Sequence, residues 1–417
     1  MHLRPFIGGL LLIATLRLPP LHAQTDHPSS TTQVTRAIAV YEWTGDLAHP
    51  TAARLLPVSL FINAHLEDAG LYLAQPIPFA LQPGTLYLLQ RAGQTGVPDR
   101  RSLPAGVETI GALNIESAHT NPTTSAPAWA AYGNFLSPTE ATAATSTKPP
   151  ATPPTFPTEA EAGTAPPAPS NHKKKQPKQQ AYVTPPTTPI LDDPGRPTLQ
   201  SGPPAASATV PELTTLPPDL HQVAAVSDAA NRAPETFAYT WPSRSIRDQT
   251  RHTLEALALP QLTHYIAFNH LTPAPTDPSS RPEAAGRSGE TPVFAATTTT
   301  PTLINPQLLA YTLTDATTPT YILTAELPLT TNGPIYLTLI AQPNASSAEL
   351  HLTLLSITDA THLDRTPWLR PIDAVDPDAT GRASILFELR SQTTRQFALY
   401  TLTTAPPQQT LLTTPIE

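Results

Sequence analysis

The densest group of polar side chains in the sequence is a set of five aspartates within residues 359–378: Asp359, Asp364, Asp373, Asp376 and Asp378. Carboxylate oxygens are the ligands that calcium prefers, and Asp376-Pro377-Asp378 resembles the start of an Asp-x-Asp loop. The spacing of the others does not match an EF-hand, and nearby Arg365 and Arg382 are available to pair with the acids. The five aspartates are therefore candidate metal ligands, but we predict that the segment is a structural loop.

A second polar group, His65, Glu67 and Asp68, falls between two predicted strands in the N-terminal part of the chain. A His-x-Glu pair is able to bind a metal ion, but the sequence nominates no third ligand, which such a site needs. His49 is the nearest other histidine. Turns between strands are commonly this polar, so we predict a solvated turn here.

The sequence contains none of the short motifs that mark common catalytic sites, such as Gly-x-Ser-x-Gly, His-Glu-x-x-His or a glycine-rich phosphate loop. It also has no cysteine, which excludes disulfides, thiol catalysis and cysteine-bound zinc or iron–sulfur clusters. We therefore predict no catalytic residues and no cofactor. Because catalytic triads assemble in space rather than in sequence, an extracytoplasmic hydrolase or carbohydrate-active protein is the alternative.

The elements that would position these residues lie on either side of a proline-rich segment, residues 137–220, which contains 20 of the 53 prolines. Proline lacks a backbone donor and fixes φ, so such a segment favours extended, hydrated chain over a packed core. We predict a disordered spacer, with a reach of at most roughly 260 Å, that holds two folded modules apart.

The N-terminus has the features of an export signal, predicted as residues 1–23. His2 and Arg4 precede an apolar run that is shorter than the about 20 residues needed to span a bilayer. Ala23 has the small side chain expected before a cleavage site, so the mature chain should begin at Gln24. We expect export to the periplasm, the cell surface or the extracellular space, with no membrane span after signal removal.

Both regions that flank the spacer show the two-residue alternation of half-buried β-strands. In the first module, residues 33–135, short strands and frequent turns predict a small sandwich or open barrel. The second module, residues 303–414, has several strand-like segments and a tight-turn signal at Asn332-Gly333, which predict an antiparallel sandwich. On one strand of this module, Ile385, Phe387 and Leu389 share one face. They alternate with Ser384, Leu386 and Glu388, which lie on the opposite face.

One amphipathic helix is predicted within residues 241–271, before the second module. Ser245-Ile246-Arg247-Asp248 matches the capping-box pattern, which makes Ser245 the expected N-cap, and Pro260 should end or kink the helix. We predict that the helix covers one face of a sheet, with docking of a partner as the alternative. Residues 272–302 then form a second linker. The predicted apolar face consists of Ile246, Thr250, Leu254 and Leu257.

The composition favours small β modules joined by uncharged linkers. Only 13% of the residues are charged, against about a quarter in ordinary globular proteins, and the net charge is −8. A protein that binds nucleic acid is usually basic, so we predict no nucleic-acid partner. The predicted fold class is mainly β: two small antiparallel β-sandwich-like modules joined by a disordered proline-rich spacer, with one amphipathic helix before the second module.

The sequence resembles a group of bacterial exported proteins that share a proline-rich middle and have no assigned activity. The resemblance lies in Arg-Ala-Ile-Ala-Val-Tyr-Glu-Trp-Thr-Gly-Asp at 36–46 and in residues 65–74, 241–244, 358–364 and 383–400. In the spacer, Asp-Asp-Pro-Gly-Arg-Pro at 192–197 is similar to the Asp-Pro-Asp-Arg-Pro element of that group, with Gly195 inserted. The resemblance implies two β modules and export, and it supplies no site residues.

These features predict an exported, non-enzymatic cell-envelope binding or scaffold protein with two tethered β modules. Two weak contacts on one tether gain avidity, because the first contact raises the effective concentration of the second. The partner is expected to be a cell-envelope component or another protein, whose identity the sequence does not give.

Overall fold

The computed structural model describes residues 35–74, 76–91, 108–120, 128–141, 210–228, 237–274, 302–314, 318–330, 333–344, 347, 349–402 and 406–417. The fold is mainly β, as the sequence predicts, with one long helix. The described residues from 35 onward belong to one compact unit, Val34–Glu417. The predicted signal, residues 1–23, lies outside the described residues.

The N-terminal sheet is barrel-like. Its strands are β1 (Arg36–Gly45), β2 (Pro50–Ile62), β3 (His65–Asp68), β4 (Leu86–Arg91), β5 (Glu108–Thr120), β6 (Trp129–Leu136) and β7 (His221–Asp228). They are ordered β1-β7-β4-β5-β6-β2-β3, and β1 also pairs with β2, which closes the sheet and leaves β3 as an extension. Closure removes exposed sheet edges and encloses a core that includes Tyr41, Leu55, Leu60, Tyr87 and Leu113.

The barrel is completed by residues 210–228, which corrects the predicted end of the first module at residue 135 and the predicted end of the spacer at residue 220. Strand β7 pairs with both β1 and β4. Just before it, Ala53 on β2 donates to the carbonyl of Pro211 at 3.0 Å and accepts from Leu213 at 3.2 Å. At the other end of the segment, residues 138–141 form a helical turn in which the Ser137 hydroxyl donates to Glu140 at 2.7 Å. The rest of the predicted spacer, residues 142–209, lies outside the described residues.

The C-terminal module is a sandwich of two four-stranded antiparallel sheets. The first sheet contains β8 (Ile304–Tyr311), β9 (Thr320–Leu327), β10 (Ile335–Pro343) and β11 (Leu350–Asp359). The second contains β12 (Trp368–Val375), β13 (Ser384–Arg390), β14 (Arg395–Thr401) and β15 (Gln408–Leu412). Ile322 and Ile340 from the first sheet pack against Ile385 and Phe387 from the second. The sandwich is confirmed, and Gly333 of the predicted turn has a φ of +75°, which favours glycine.

The predicted helix is present as α1, Arg244–Phe268, but three details differ from the prediction, the first being that Ile246 of the predicted apolar face is 41% exposed. Its N-cap is Ser243, whose hydroxyl accepts from the backbone N–H of Ile246 at 3.2 Å, and not Ser245. Pro260 lies inside the helix without ending it, although proline removes one helical hydrogen bond. Burial of Leu254, Ala258 and Leu262 maintains the helix through this point, because tertiary packing contributes most of a helix's stability.

Helix α1 covers the outer face of sheet β8–β11, as predicted. Its buried residues share a core with apolar side chains of that sheet, including Leu323, Leu337 and Leu339. After the helix, Ala274 donates to the carbonyl of Pro328 at 2.9 Å, so the first residues of the predicted 272–302 linker pack against the sheet. Residues 275–301 lie outside the described residues.

The two modules pack against each other, which corrects the expectation that the spacer holds them apart. The second sheet of the sandwich is buried on both faces. Phe387 and its neighbours face the first sheet, while residues on the opposite face contact the outside of the barrel. This junction core includes Val40, Val58, Leu386, Phe397 and Leu399. The face of β13 that carries Ser384, Leu386 and Glu388 therefore lies at the interface between the modules.

Candidate functional site

A buried ion-pair network lies at the junction of the barrel and the sandwich. Glu42 is 0% exposed because β1 faces the barrel core on one side and the junction on the other. Both terminal nitrogens of Arg395 bond to its carboxylate, Nη1 to Oε1 and Nη2 to Oε2, the second at 2.9 Å. Arg54 Nε donates to Oε2 at 2.8 Å, and Gln222 Nε2 donates to Oε1 at 2.9 Å. One glutamate of the barrel thus holds an arginine of the sandwich in a bidentate contact.

A second buried glutamate extends the network across β13. Glu388 accepts from Arg370 Nη1 at 2.5 Å and from Arg390 Nη2 and Arg395 Nη1, both at 3.1 Å. The guanidinium carbons of Arg370 and Arg390 lie 5.1 and 6.0 Å from the centre of the Trp368 ring, so cation–π attraction adds to the ion pairs. Two glutamates are thus surrounded by four arginines: Arg54, Arg370, Arg390 and Arg395. The network therefore has an excess charge of +2.

The arginines determine the protonation state of both glutamates. Burial alone would raise the pKa of Glu42, but the charges and hydrogen bonds of Arg395, then Arg54 and Gln222, lower that pKa to about 2. The pKa of Glu388 is also lowered, because Arg370, Arg390 and Arg395 outweigh the effect of its burial. Both carboxylates are therefore charged at neutral pH.

A carboxylate whose folded pKa lies below its unfolded pKa stabilises the protein above the unfolded value, and loses that contribution as pH falls through the folded value. For Glu42 this window extends from about 4.5 down to about 2. We expect the urea midpoint of the wild-type chain to be steady from about pH 7 to 5 and to fall steeply below about 4.5. The Glu42→Gln variant, which has no carboxylate to protonate there, should show a shallower fall; parallel curves for the two proteins would contradict this assignment.

A cavity of about 270 Å³ opens next to this network, between the two modules. It is lined by Trp43, Arg91, Leu220, His221, Gln222 and Val223 of the barrel, and by Gln307, Leu309, Tyr311, Arg370, Pro371, Ile372 and Asp373 of the sandwich. Trp43 and His221 stack at 5.3 Å between ring centres and form a flat wall. The positions of these side chains depend on how the modules pack, so the cavity exists only in the assembled chain.

The charged groups of the cavity lie mainly on β4 and β12. Arg370 connects the cavity to the ion-pair network, and its Nη1 also approaches Gln222 Oε1 at 3.4 Å. Arg91 is the last residue of β4, and Asp373 is a buried residue of β12. Burial, and then the charge and hydrogen bond of Asp373, raise the pKa of Tyr311 well above its usual value, so its hydroxyl stays protonated. The cavity therefore combines two arginines, one aspartate and several other hydrogen-bonding groups.

The five aspartates predicted as candidate metal ligands do not gather into one site. Asp359 ends β11, Asp364 accepts from the Gln392 N–H at 3.1 Å, and Asp373 lies in the junction cavity. Asp376 pairs with Arg36 at 3.2 Å, and Asp378 accepts from Thr380 Oγ1 at 2.7 Å. Within the described residues, no three histidine, aspartate or glutamate side chains are grouped as metal ligands would be. The segment is also not one loop, because it contains strand β12.

Of the five aspartates, Asp359 is the one whose hydrogen-bond partners most resemble those of a catalytic site. Its Oδ2 accepts from the Tyr265 hydroxyl at 2.8 Å and lies 2.8 Å from His362 Nδ1. Thr361 Oγ1 also approaches that same Nδ1, at 3.1 Å. A proton relay needs the acid and the nucleophile on different nitrogens of the imidazole ring, so these three residues do not form one. They instead close the turn after β11.

The second polar group has a structural role in the described chain. His65, Glu67 and Asp68 form strand β3 rather than a turn. Asp68 Oδ1 accepts from the Gly70 N–H at 2.9 Å, and Oδ2 accepts from the Thr414 N–H at 2.8 Å. Asp68 therefore adds a second polar link between the barrel and the C-terminal end of the chain.

Of the charged residues at the junction site, the sequence nominated only Asp373, and it did so as a metal ligand. Glu42 lies in a strand that otherwise alternates normally, and Arg370 lies in a segment predicted as a loop. One available signal was a charged residue within an apolar strand, since Glu42 and Glu388 both interrupt runs of apolar residues. Such residues are almost never fully buried unless they are paired.

Comparisons with protein-family models, with curated proteins and with solved structures found no match to this chain. Among the described residues, no helix has the length and apolar character needed to cross a membrane.

Proposed function

We propose that this chain is an exported, non-enzymatic binding protein of the cell envelope, and that the junction cavity is its binding site. The observation that supports this proposal most directly is a polar cavity to which both modules contribute cationic, amide and aromatic side chains. Concave sites of this kind, between domains and with a few convergent polar groups, are where small ligands usually bind. Export is supported by the signal-like residues 1–23 and by the resemblance to exported bacterial proteins.

The lining favours binding over catalysis. Its described residues include no serine, threonine, cysteine or lysine, which are the common nucleophiles. Among the described lining residues Asp373 is the only carboxylate, whereas most glycoside hydrolases use two. A hydrolase or carbohydrate-active protein therefore remains the second proposal, with a site elsewhere in the chain.

A scaffold role is compatible with the same body, through a different surface. The loop after β3 exposes large apolar side chains, with Leu71 63% and Leu73 57% exposed. Exposed apolar groups that cluster on one loop often contact another protein. Because the modules pack together, such a contact and the cavity would be presented at a fixed separation rather than on a tether.

The proposal is tested by incubating the full chain with a small-molecule extract of the bacterial envelope and identifying the retained compounds by mass spectrometry. We expect at least one compound to be retained by the wild-type chain and lost from Gln307→Trp, because an indole at this exposed lining position fills the cavity mouth. His351→Trp is the matched control, since His351 is exposed on β11 outside the cavity lining and should not alter retention.

Two outcomes would contradict the proposal. Equal retention by the wild-type chain and Gln307→Trp would place binding elsewhere. Steady conversion of an extract compound into a new product would favour the hydrolase alternative.

A further inference from the structure

We infer that the junction cavity binds a small organic acid, with the carboxylate of the ligand held between Arg370 and Arg91. This inference rests on the proposed binding function and adds the chemical class of the ligand. The network beside the cavity already carries an excess of positive charge. A bound carboxylate would offset part of that excess in a partly dehydrated place, where unbalanced charge is costly.

Arg370 lines the cavity and has donors that no acceptor within the described chain uses. Only its Nη1 bonds to protein acceptors within the described chain, Glu388 and Gln222. The guanidinium has five N–H groups in a planar fork, so the donors on Nε and Nη2 remain for a ligand. Such a fork matches the geometry of a carboxylate. The ion pair with Glu388 fixes the side chain in place, so little conformational freedom is lost on binding.

Arg91 supplies the second cation. Within the described part of the chain it has no ion-pair partner, although it lines the cavity at the end of β4. Arginine stays charged at every physiological pH, so Arg91 gives the cavity a permanent positive charge. Two arginines from different modules thus face one space.

The remaining walls limit the size and shape of the ligand. A cavity of about 270 Å³ is slightly smaller than the range of about 300–1,000 Å³ that is typical of drug-sized ligands. The stacked Trp43 and His221 rings, with Leu309 and Ile372, provide a flat and partly apolar surface. The small volume and these walls favour a compact acid with a flat or apolar body.

Benzoate is a suitable probe, and benzamide is its neutral match in shape. We expect benzoate to bind the full chain saturably in a calorimetric or NMR titration, at least tenfold more tightly than benzamide. Raising the salt concentration should weaken the binding of benzoate and leave the binding of benzamide unchanged, because salt screens only the charged contact. Inorganic phosphate forms a separate arm, since it carries oxyanion charge without an organic body.

The variants separate cavity contacts from loss of stability. Arg91→Gln leaves the ion-pair network intact and should weaken benzoate at least tenfold. Arg370→Gln should do the same, while Arg390→Gln, which also removes one arginine from Glu388 but does not line the cavity, should weaken benzoate less than Arg370→Gln does, because it removes network charge without removing a cavity contact. Arg365→Gln is an exposed control outside the lining.

The inference is overturned if wild-type chain does not bind benzoate, if benzamide binds equally well, if phosphate alone binds as tightly, or if Arg91→Gln has no effect. These failures are distinguishable from failure of the proposed function. Retention of an envelope compound that Gln307→Trp abolishes would leave the function standing while the ligand class falls. If benzoate binds through the two arginines but no envelope compound is retained, the ligand class would stand while the proposed envelope function falls.

Discussion

Replacing Glu42 with glutamine is expected to lower the free energy of unfolding by about 3–5 kcal/mol, because removing one partner of a buried ion pair leaves the other charge uncompensated. Glu42 is fully buried and bonds to Arg395, Arg54 and Gln222. Glutamine preserves the shape of the side chain but cannot accept from both arginines as a carboxylate does. Urea unfolding at neutral pH, followed by tryptophan fluorescence, measures the change.

Glu116→Gln is the matched control for this substitution. Glu116 is exposed on β5, where it accepts one hydrogen bond from Asn134. Surface substitutions of this kind usually change stability by less than about 0.5 kcal/mol. A loss for Glu42→Gln as small as that of the control would show that the network is open to water in solution.

Phe397→Ala is expected to lower the free energy of unfolding by about 3–5 kcal/mol, the usual cost of removing a buried phenylalanine. Phe397 lies on β14 and is only 1% exposed because the barrel covers it, together with Leu386 and Leu399. The substitution therefore reports on the junction between the modules. Since that junction is shared, the fluorescence of Trp43 in the barrel and of Trp368 in the sandwich should change in one transition.

Two other phenylalanines calibrate the result. Phe387→Ala removes a side chain from inside the sandwich and should cost a similar amount whether or not the modules stay together. Phe268→Ala, at a side chain that is 75% exposed, should cost little. If Phe397→Ala lowers the free energy of unfolding as little as Phe268→Ala does, the modules are separate in solution. That result would favour the tethered arrangement that the sequence predicts.

The sequence by itself determined the local elements. Alternating apolar residues predicted the strands of both modules, because side chains on a β-strand alternate between its two faces. The 3.6-residue period and a nearby serine predicted helix α1, although competition between Ser243 and Ser245 placed the N-cap two residues from the expected position. Serine is a favourable N-cap at either position, so the sequence pattern alone does not distinguish Ser243 from Ser245.

Only the tertiary structure decided what those elements face. Strand β13 shows an alternation that is typical of a strand with one solvated face, yet Ser384, Leu386 and Glu388 are buried against the barrel. Glu388 is compatible with burial because three arginines from separate strands reach it, and sequence spacing does not reveal such partners. The same limit applies to the junction cavity. Its two arginines are nearly 280 residues apart, Arg91 and Arg370, and they meet because β7 returns from beyond the spacer to close the barrel against the sandwich.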